Sequence, residues 1–71
     1  MVEMFPAGST RISEMGYDAE TATVYVRFPN GKGWQYKNVP ADVWEGFVQA
    51  TSKGNYIQQV LNHYDHGPAE I

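Results

Sequence analysis

The sequence lacks cysteine and any long apolar run. Without cysteine it has neither a disulfide nor a thiolate metal ligand, and it suits a reducing compartment. No stretch approaches the roughly 20 apolar residues of a membrane-spanning helix, and no signal peptide is recognisable, so we expect a cytoplasmic protein without membrane contact. Basic residues are few, five against eight acidic ones, and the net charge of −3 argues against a general nucleic-acid coat.

The chain is instead rich in aromatic side chains, with two Trp, five Tyr and three Phe among its 71 residues. A domain of this length buries only about 60% of the surface that its unfolded chain exposes. Each buried ring removes a large area from water, so the rings should supply much of the core. We predict a flexible N-terminal arm over residues 1–8, a single domain over 9–66 and a C-terminal tail over 67–71.

Alternating apolar and polar residues predict strands in the first half of the chain. The pattern is clearest over residues 21–28, which are also rich in β-branched and aromatic side chains. Asn30 and Gly31 follow, and because both tolerate a positive φ we predict a hairpin turn into the next strand. A less regular first strand is expected over residues 9–17, with a bend near Glu14.

The last predicted strand meets the first predicted helix at Pro40. Trp34 and Tyr36 lie two residues apart and therefore share one face of the strand. Pro40 has no N–H to donate to a sheet, and its fixed φ suits the start of a helix. Two runs with apolar residues at helical spacing follow. Ser52 is the predicted N-cap of the second run, which is expected to end before Gly67.

This order of elements predicts an α+β fold. We expect a three-stranded antiparallel meander with two C-terminal helices packed on one face, in the order β-β-β-α-α. Val24 and Val26 should face the helices together with the aromatic pair of the third strand. The opposite face of the sheet should then be open to solvent.

A set of motifs occurs in a fixed order between residues 9 and 64: Ile12, Gly16-Tyr17-Asp18, Phe28, Trp34-Gln35-Tyr36, Val39-Pro40, Ser52, Gly54, Tyr56, Ile57 and Tyr64. Together they resemble the KTSC domain family, a small module named after its occurrence at the C-terminus of some lysyl-tRNA synthetases. The family usually has Tyr-x-Tyr where this chain has Trp34-Gln35-Tyr36, which keeps the aromatic face and loses one hydroxyl. The resemblance implies a module that also occurs alone in bacteria and phages, with RNA binding suggested by its association with the synthetase.

The open face of the predicted sheet carries the candidate binding residues. Tyr25, Arg27, Gln35 and Lys37 should point away from the helices, with Arg11 beside them. Three of the five basic residues then gather around one aromatic ring, an arrangement with which some modules stack single-stranded RNA. The alternative, which we favour, is an ordinary solvated face of an antiparallel sheet.

Other candidate chemistry is sparse. His63 and His66 lie three residues apart with Asp65 between them, and on one helix they would share a face suited to zinc. A solvated helix end explains them better, because no further ligand is obvious nearby. We therefore predict no metal, no cofactor and no catalytic residue.

Two functions remain open from the sequence. The first is a small non-enzymatic binding domain that docks on a protein partner, such as a bacterial or phage accessory factor. The second is weak binding of RNA or single-stranded nucleic acid through the open sheet face. The oligomeric state is not predicted, although an exposed edge strand offers a place for a second copy.

Overall fold

The computed structural model describes residues 2–71 as one antiparallel sheet with two helices on one face. Five strands pair in the order in which they occur along the chain. The strands are β1 (Phe5–Pro6), β2 (Glu14–Asp18), β3 (Thr23–Arg27), β4 (Gly33–Lys37) and β5 (Asp65–Ala69). The helices are α1 (Ala41–Gln49) and α2 (Lys53–Gln59), and a 3₁₀ turn at Leu61–His63 connects α2 to β5.

The prediction of an α+β fold is confirmed, but the prediction of three strands is wrong. The two additional strands are the edges of the sheet, β1 and β5. Both contain proline, Pro6 in β1 and Pro68 in β5. An edge strand tolerates proline because one of its sides has no neighbouring strand to bond. Gly67 and Pro68 are typical of the end of a helix, and the sequence predicts one there, but both residues belong to β5.

The helix pair is shorter than its apolar pattern predicted. The second helical run, which is expected to end just before Gly67, ends at Gln59, and the sheet resumes at Asp65. The predicted cap of α2 is present, since the Ser52 side chain accepts from the Asn55 amide at 3.3 Å. The Lys53 ammonium donates to the carbonyls of Val48 and Ala50 at 3.0 and 2.7 Å. One side chain thus stabilises the C-terminus of α1 from the first turn of α2.

The predicted division into arm, domain and tail stays a prediction. The sheet nevertheless includes residues on both sides of the 9–66 range. Phe5 is paired with Met15, and residues 67–69 are paired with β4. The hairpin between β3 and β4 has Gly31 at φ +87°, as the turn chemistry predicted.

The core lies between the helices and one face of the sheet. Val24, Val26 and Tyr36 point into it from β3 and β4, where they meet Phe47 of α1 and Leu61 after α2. The ring of Tyr17 stacks on that of Trp44, with 5.4 Å between centroids. Trp34 shares the face of Tyr36, as predicted, but is only partly buried.

Candidate binding groove on the outer sheet face

Four of the predicted site residues share the sheet face opposite the helices, which we call the outer face. Tyr25 and Gln35 are direct partners across β3 and β4. Arg27 lies at one end of this pair of strands, opposite Gly33, and Lys37 lies at the other end. Strand alternation therefore placed these four side chains correctly. Their role in binding stays a prediction.

The fifth predicted residue, Arg11, lies elsewhere. Its side chain packs over Gly54 in the first turn of α2, where an added Cβ would lie 2.7 Å from the Arg11 Cδ atom. Arg11 lines a separate, smaller cavity of about 350 Å³. Residues 9–13 form a loop rather than a strand, so the alternation that orients β2 does not extend back to Arg11.

Carboxylates accompany the two cations on the outer face. The guanidinium of Arg27 forms an ion pair with Glu14, its partner across β2 and β3. Lys37 is the cross-strand partner of Asp65. Neither acid was predicted here, because Glu14 was assigned to a bend and Asp65 to a helix end. The outer face is consequently not a basic patch.

Segments from both ends of the chain lie against the outer face beside two glycines. An added Cβ at Gly16 would lie 2.6 Å from the Glu3 carbonyl oxygen and close to Val2 and Met4. At Gly33 it would lie 2.6 Å from the Ile71 side chain. These close approaches need glycine, which has no Cβ to obstruct them.

A groove of about 590 Å³ lies between the two terminal segments. Its apolar walls come from the terminal segments, its floor from β3, and its carboxylates from the end of β2 and the C-terminal segment. The lining residues are Val2, Met4, Asp18, Tyr25, Arg27, Glu70 and Ile71. Of these, sequence reasoning had selected only Tyr25 and Arg27. Apolar residues near both ends of the chain and glycines inside strands were the available signals for the others.

Two tyrosine hydroxyls in the described part of the chain have a raised pKa. Burial raises the pKa of Tyr36 to about 12. Burial also raises the pKa of Tyr56, with smaller contributions from Tyr64 and Asp42, and its hydroxyl donates to the Val43 carbonyl at 2.8 Å. Both phenols therefore keep their protons near neutral pH.

The histidine cluster does not lie on one helix. His63 closes the 3₁₀ turn, whereas His66 belongs to β5, where its Nδ1 accepts from the Trp34 indole N–H at 3.2 Å. The premise that both imidazoles share a helix face is therefore wrong. Across residues 2–71, no three His, Cys, Asp or Glu residues are grouped in a way that could hold a metal ion. No helix in that range is long and apolar enough to cross a membrane.

A five-stranded meander, with a helix pair on one face and a groove on the other, defines the class of protein: a small α+β domain. The chain belongs to the KTSC domain family, which matches it over residues 8–64. That range includes β2, β3, β4 and both helices, and it omits both edge strands.

Two bacterial proteins and one crystal structure are similar to this chain. An uncharacterized protein of Stutzerimonas stutzeri strain A1501 is 33% identical over 58 residues, which is 79% of this chain and 82% of the relative. A protein of Tsukamurella paurometabola is 29% identical over 58 residues, covering 82% of this chain and 87% of its own length. The crystal structure of a KTSC domain protein from Yersinia pestis matches with a TM-score of 0.90 at 25% identity, covering 99% of this chain and 100% of the other.

Proposed function

We propose that this chain is a small non-enzymatic binding domain that receives a segment of a partner protein in the groove of its outer face. One observation carries the proposal: a face that is otherwise polar contains a groove of about 590 Å³ with apolar walls. Ile71, in one wall, is among the large apolar side chains that stay exposed. A partner that covers these walls removes apolar surface from water, which favours association.

Charge supports a protein partner over nucleic acid. The charge of Arg27 is offset by Glu14, and two further carboxylates, Asp18 and Glu70, line the same groove. A nucleic-acid strand would bring its phosphates toward those carboxylates. Binding to phosphates depends on a surplus of Lys and Arg, and this groove has no such surplus.

Weak binding of RNA or single-stranded nucleic acid remains the second candidate. The observation in its favour is the half-exposed ring of Tyr25 on the outer face. Arg27 lies on the same strand, and the neighbouring strand β4 carries Lys37. An aromatic ring on a sheet can stack a base. Arg11 adds nothing to such a platform, because it packs beside α2.

Affinity capture with matched variants tests the proposal. The tagged chain, Tyr25→Ala in the groove floor and Gln59→Ala on the exposed end of α2 would be incubated with a bacterial lysate, with and without nuclease. We expect a partner that the parent chain and Gln59→Ala retain and that Tyr25→Ala loses, regardless of nuclease. Circular dichroism checks that both variants are folded. Capture that nuclease abolishes would favour the second candidate, and capture that ignores Tyr25→Ala would contradict the groove.

The bacterial part of the proposed setting rests on the three similar proteins named above, which come from bacteria. A cytoplasmic location and a role as an accessory factor, of bacterial or phage origin, are part of the proposal. Fractionation of cells that express the tagged chain tests the location.

A further inference from the structure

We infer that the partner segment carries an apolar side chain flanked by Lys or Arg. This inference rests on the proposed function and adds the chemistry of the ligand. It follows from the composition of the groove, in which apolar walls and carboxylates occur together. The two features select different parts of the same segment.

The walls select the apolar part. Val2 and Met4 form one wall, and Ile71 forms the other. Ile71 is 39% exposed, so much of its side chain is still in contact with water. An apolar side chain that enters between the walls buries surface on both of them, and the gain scales with that area. A polar side chain in the same place would lose its hydration without a matching gain.

The carboxylates select the basic part. Asp18 ends β2, and Glu70 directly follows β5, so the two acids reach the groove from opposite edges of the central strands. Among residues 2–71, Arg27 is the only cationic side chain that lines the groove, and Glu14 offsets it. The described side chains that line the groove therefore carry a net negative charge. Lys or Arg beside the apolar anchor would meet Asp18 and Glu70, which is charge complementarity of the kind that fixes specificity at interfaces.

The same charges disfavour two other occupants. A nucleic-acid strand would be repelled by the carboxylates. A second copy of this chain has a net charge of −3, so two copies repel each other at low salt. A simple salt titration cannot separate a basic peptide from nucleic acid, because both bind more weakly as salt rises. Charge variants can separate the two ligands, because removing a carboxylate should weaken a basic peptide and strengthen nucleic acid.

Three blocked, fluorescein-labelled peptides probe the inference. Each has glycine ends and a central triplet: Lys-Leu-Lys, Glu-Leu-Glu or Lys-Ser-Lys. Anisotropy at low salt gives the affinity, and backbone amide NMR shifts locate the site. We expect Lys-Leu-Lys to bind at least about fivefold more tightly than either other peptide, with shifts at Asp18 and Tyr25.

Charge variants then show whether removing an acidic or a basic side chain raises or lowers the affinity for the peptide. Asp18→Asn combined with Glu70→Gln should weaken Lys-Leu-Lys by about fivefold, since two partly exposed charge pairs are lost. Arg27→Gln should strengthen it by about twofold, because Glu14 loses its partner cation and adds its charge to the groove. Glu45→Gln, an exposed neutralisation on α1, is the control for net charge and should change the affinity little.

Several results would overturn the inference. Equal binding of Glu-Leu-Glu in the groove would show that charge does not select the ligand, and equal binding of Lys-Ser-Lys would show that the apolar anchor does not. Both leave the proposed function intact. Weaker binding by Arg27→Gln, or displacement by a single-stranded oligouridine, would indicate a nucleic-acid site. If no peptide shifts the NMR signals of the groove amides, the inference is wrong. The proposed function is then contradicted as well only if Tyr25→Ala leaves capture from the lysate unchanged.

Discussion

The two faces of the central strands differ in what covers them. On the helix side, Val24 and Val26 are fully buried beneath α1 and the segment after α2. On the outer side, Tyr25 and Arg27 alternate with these valines and stay partly exposed, although terminal segments lie nearby. Alternate residues of β3 therefore have different roles: the two valines stabilise the core, and Tyr25 and Arg27 line the groove. Stability and binding should be separable by mutation.

The largest expected effect is on the helix side. Phe47 is fully buried and contacts the rings of Trp44 and Tyr56, so Phe47→Ala should lower the free energy of unfolding by about 3–5 kcal/mol. Small domains have little more stability than that. Urea denaturation followed by circular dichroism measures the loss. The exposed Lys37→Ala on the outer face should change the same free energy by less than about 0.5 kcal/mol. Comparable losses of unfolding free energy in both variants would contradict the conclusion that only the helix side stabilises the fold.

A pH effect comes next. Tyr36 is buried and its pKa is raised from 10.0 to about 12, so the unfolded chain loses this proton first as the pH rises. The stability associated with Tyr36 should be intact below pH 10 and should decrease between pH 10 and about 12, by at most about 2 kcal/mol. Thermal melts across that range measure the decrease. Tyr36→Phe should reduce it, whereas Tyr25→Phe on the outer face should leave the contribution of Tyr36 in place. An unchanged alkaline slope in Tyr36→Phe would contradict the assignment.

A smaller effect is expected from the glycines of the outer face. Gly16→Ala should displace the segment at Val2 and Met4, because the new Cβ would lie 2.6 Å from the Glu3 carbonyl oxygen. We expect a loss of about 1 kcal/mol and altered NMR shifts at residues 2–4. Gly67→Ala is the matched variant, since no atom lies within 4 Å of its new Cβ. It should be neutral or slightly stabilising in the same melts. If both variants behave alike, the N-terminal segment does not pack on Gly16.

The smallest effect is expected from the ion pair of the outer face. The side chains of Arg27 and Glu14 are 29% and 31% exposed, so water and salt screen their attraction. A double-mutant cycle with Arg27→Gln and Glu14→Gln should give a coupling of at most about 1 kcal/mol, and it should decrease as salt is added. A larger coupling that is insensitive to salt would mean that the pair is a structural element of the sheet.

Much of the fold could be predicted from local chemistry. The turn after Asn30 follows from the positive φ that Gly31 adopts without strain, and Ser52 caps α2 because its hydroxyl reaches a free amide. The four outward residues of the candidate site follow from strand alternation. The groove itself could not be predicted, because its walls come from both ends of the chain. No local pattern states where a terminal segment of three or four residues will lie.

By itself, the sequence determined the β3–β4 hairpin, the start of each helix and the side of the sheet that is buried, since these depend on the spacing of side chains a few residues apart. It also carried the resemblance to the KTSC family, which the family match over residues 8–64 confirms. Only the tertiary structure decided that Phe5–Pro6 and Asp65–Ala69 become edge strands. Neither segment has a strand pattern of its own. Each is extended because the unpaired N–H and C=O groups of β2 or β4 offer it hydrogen bonds, and that pairing exists only once the central strands are in place.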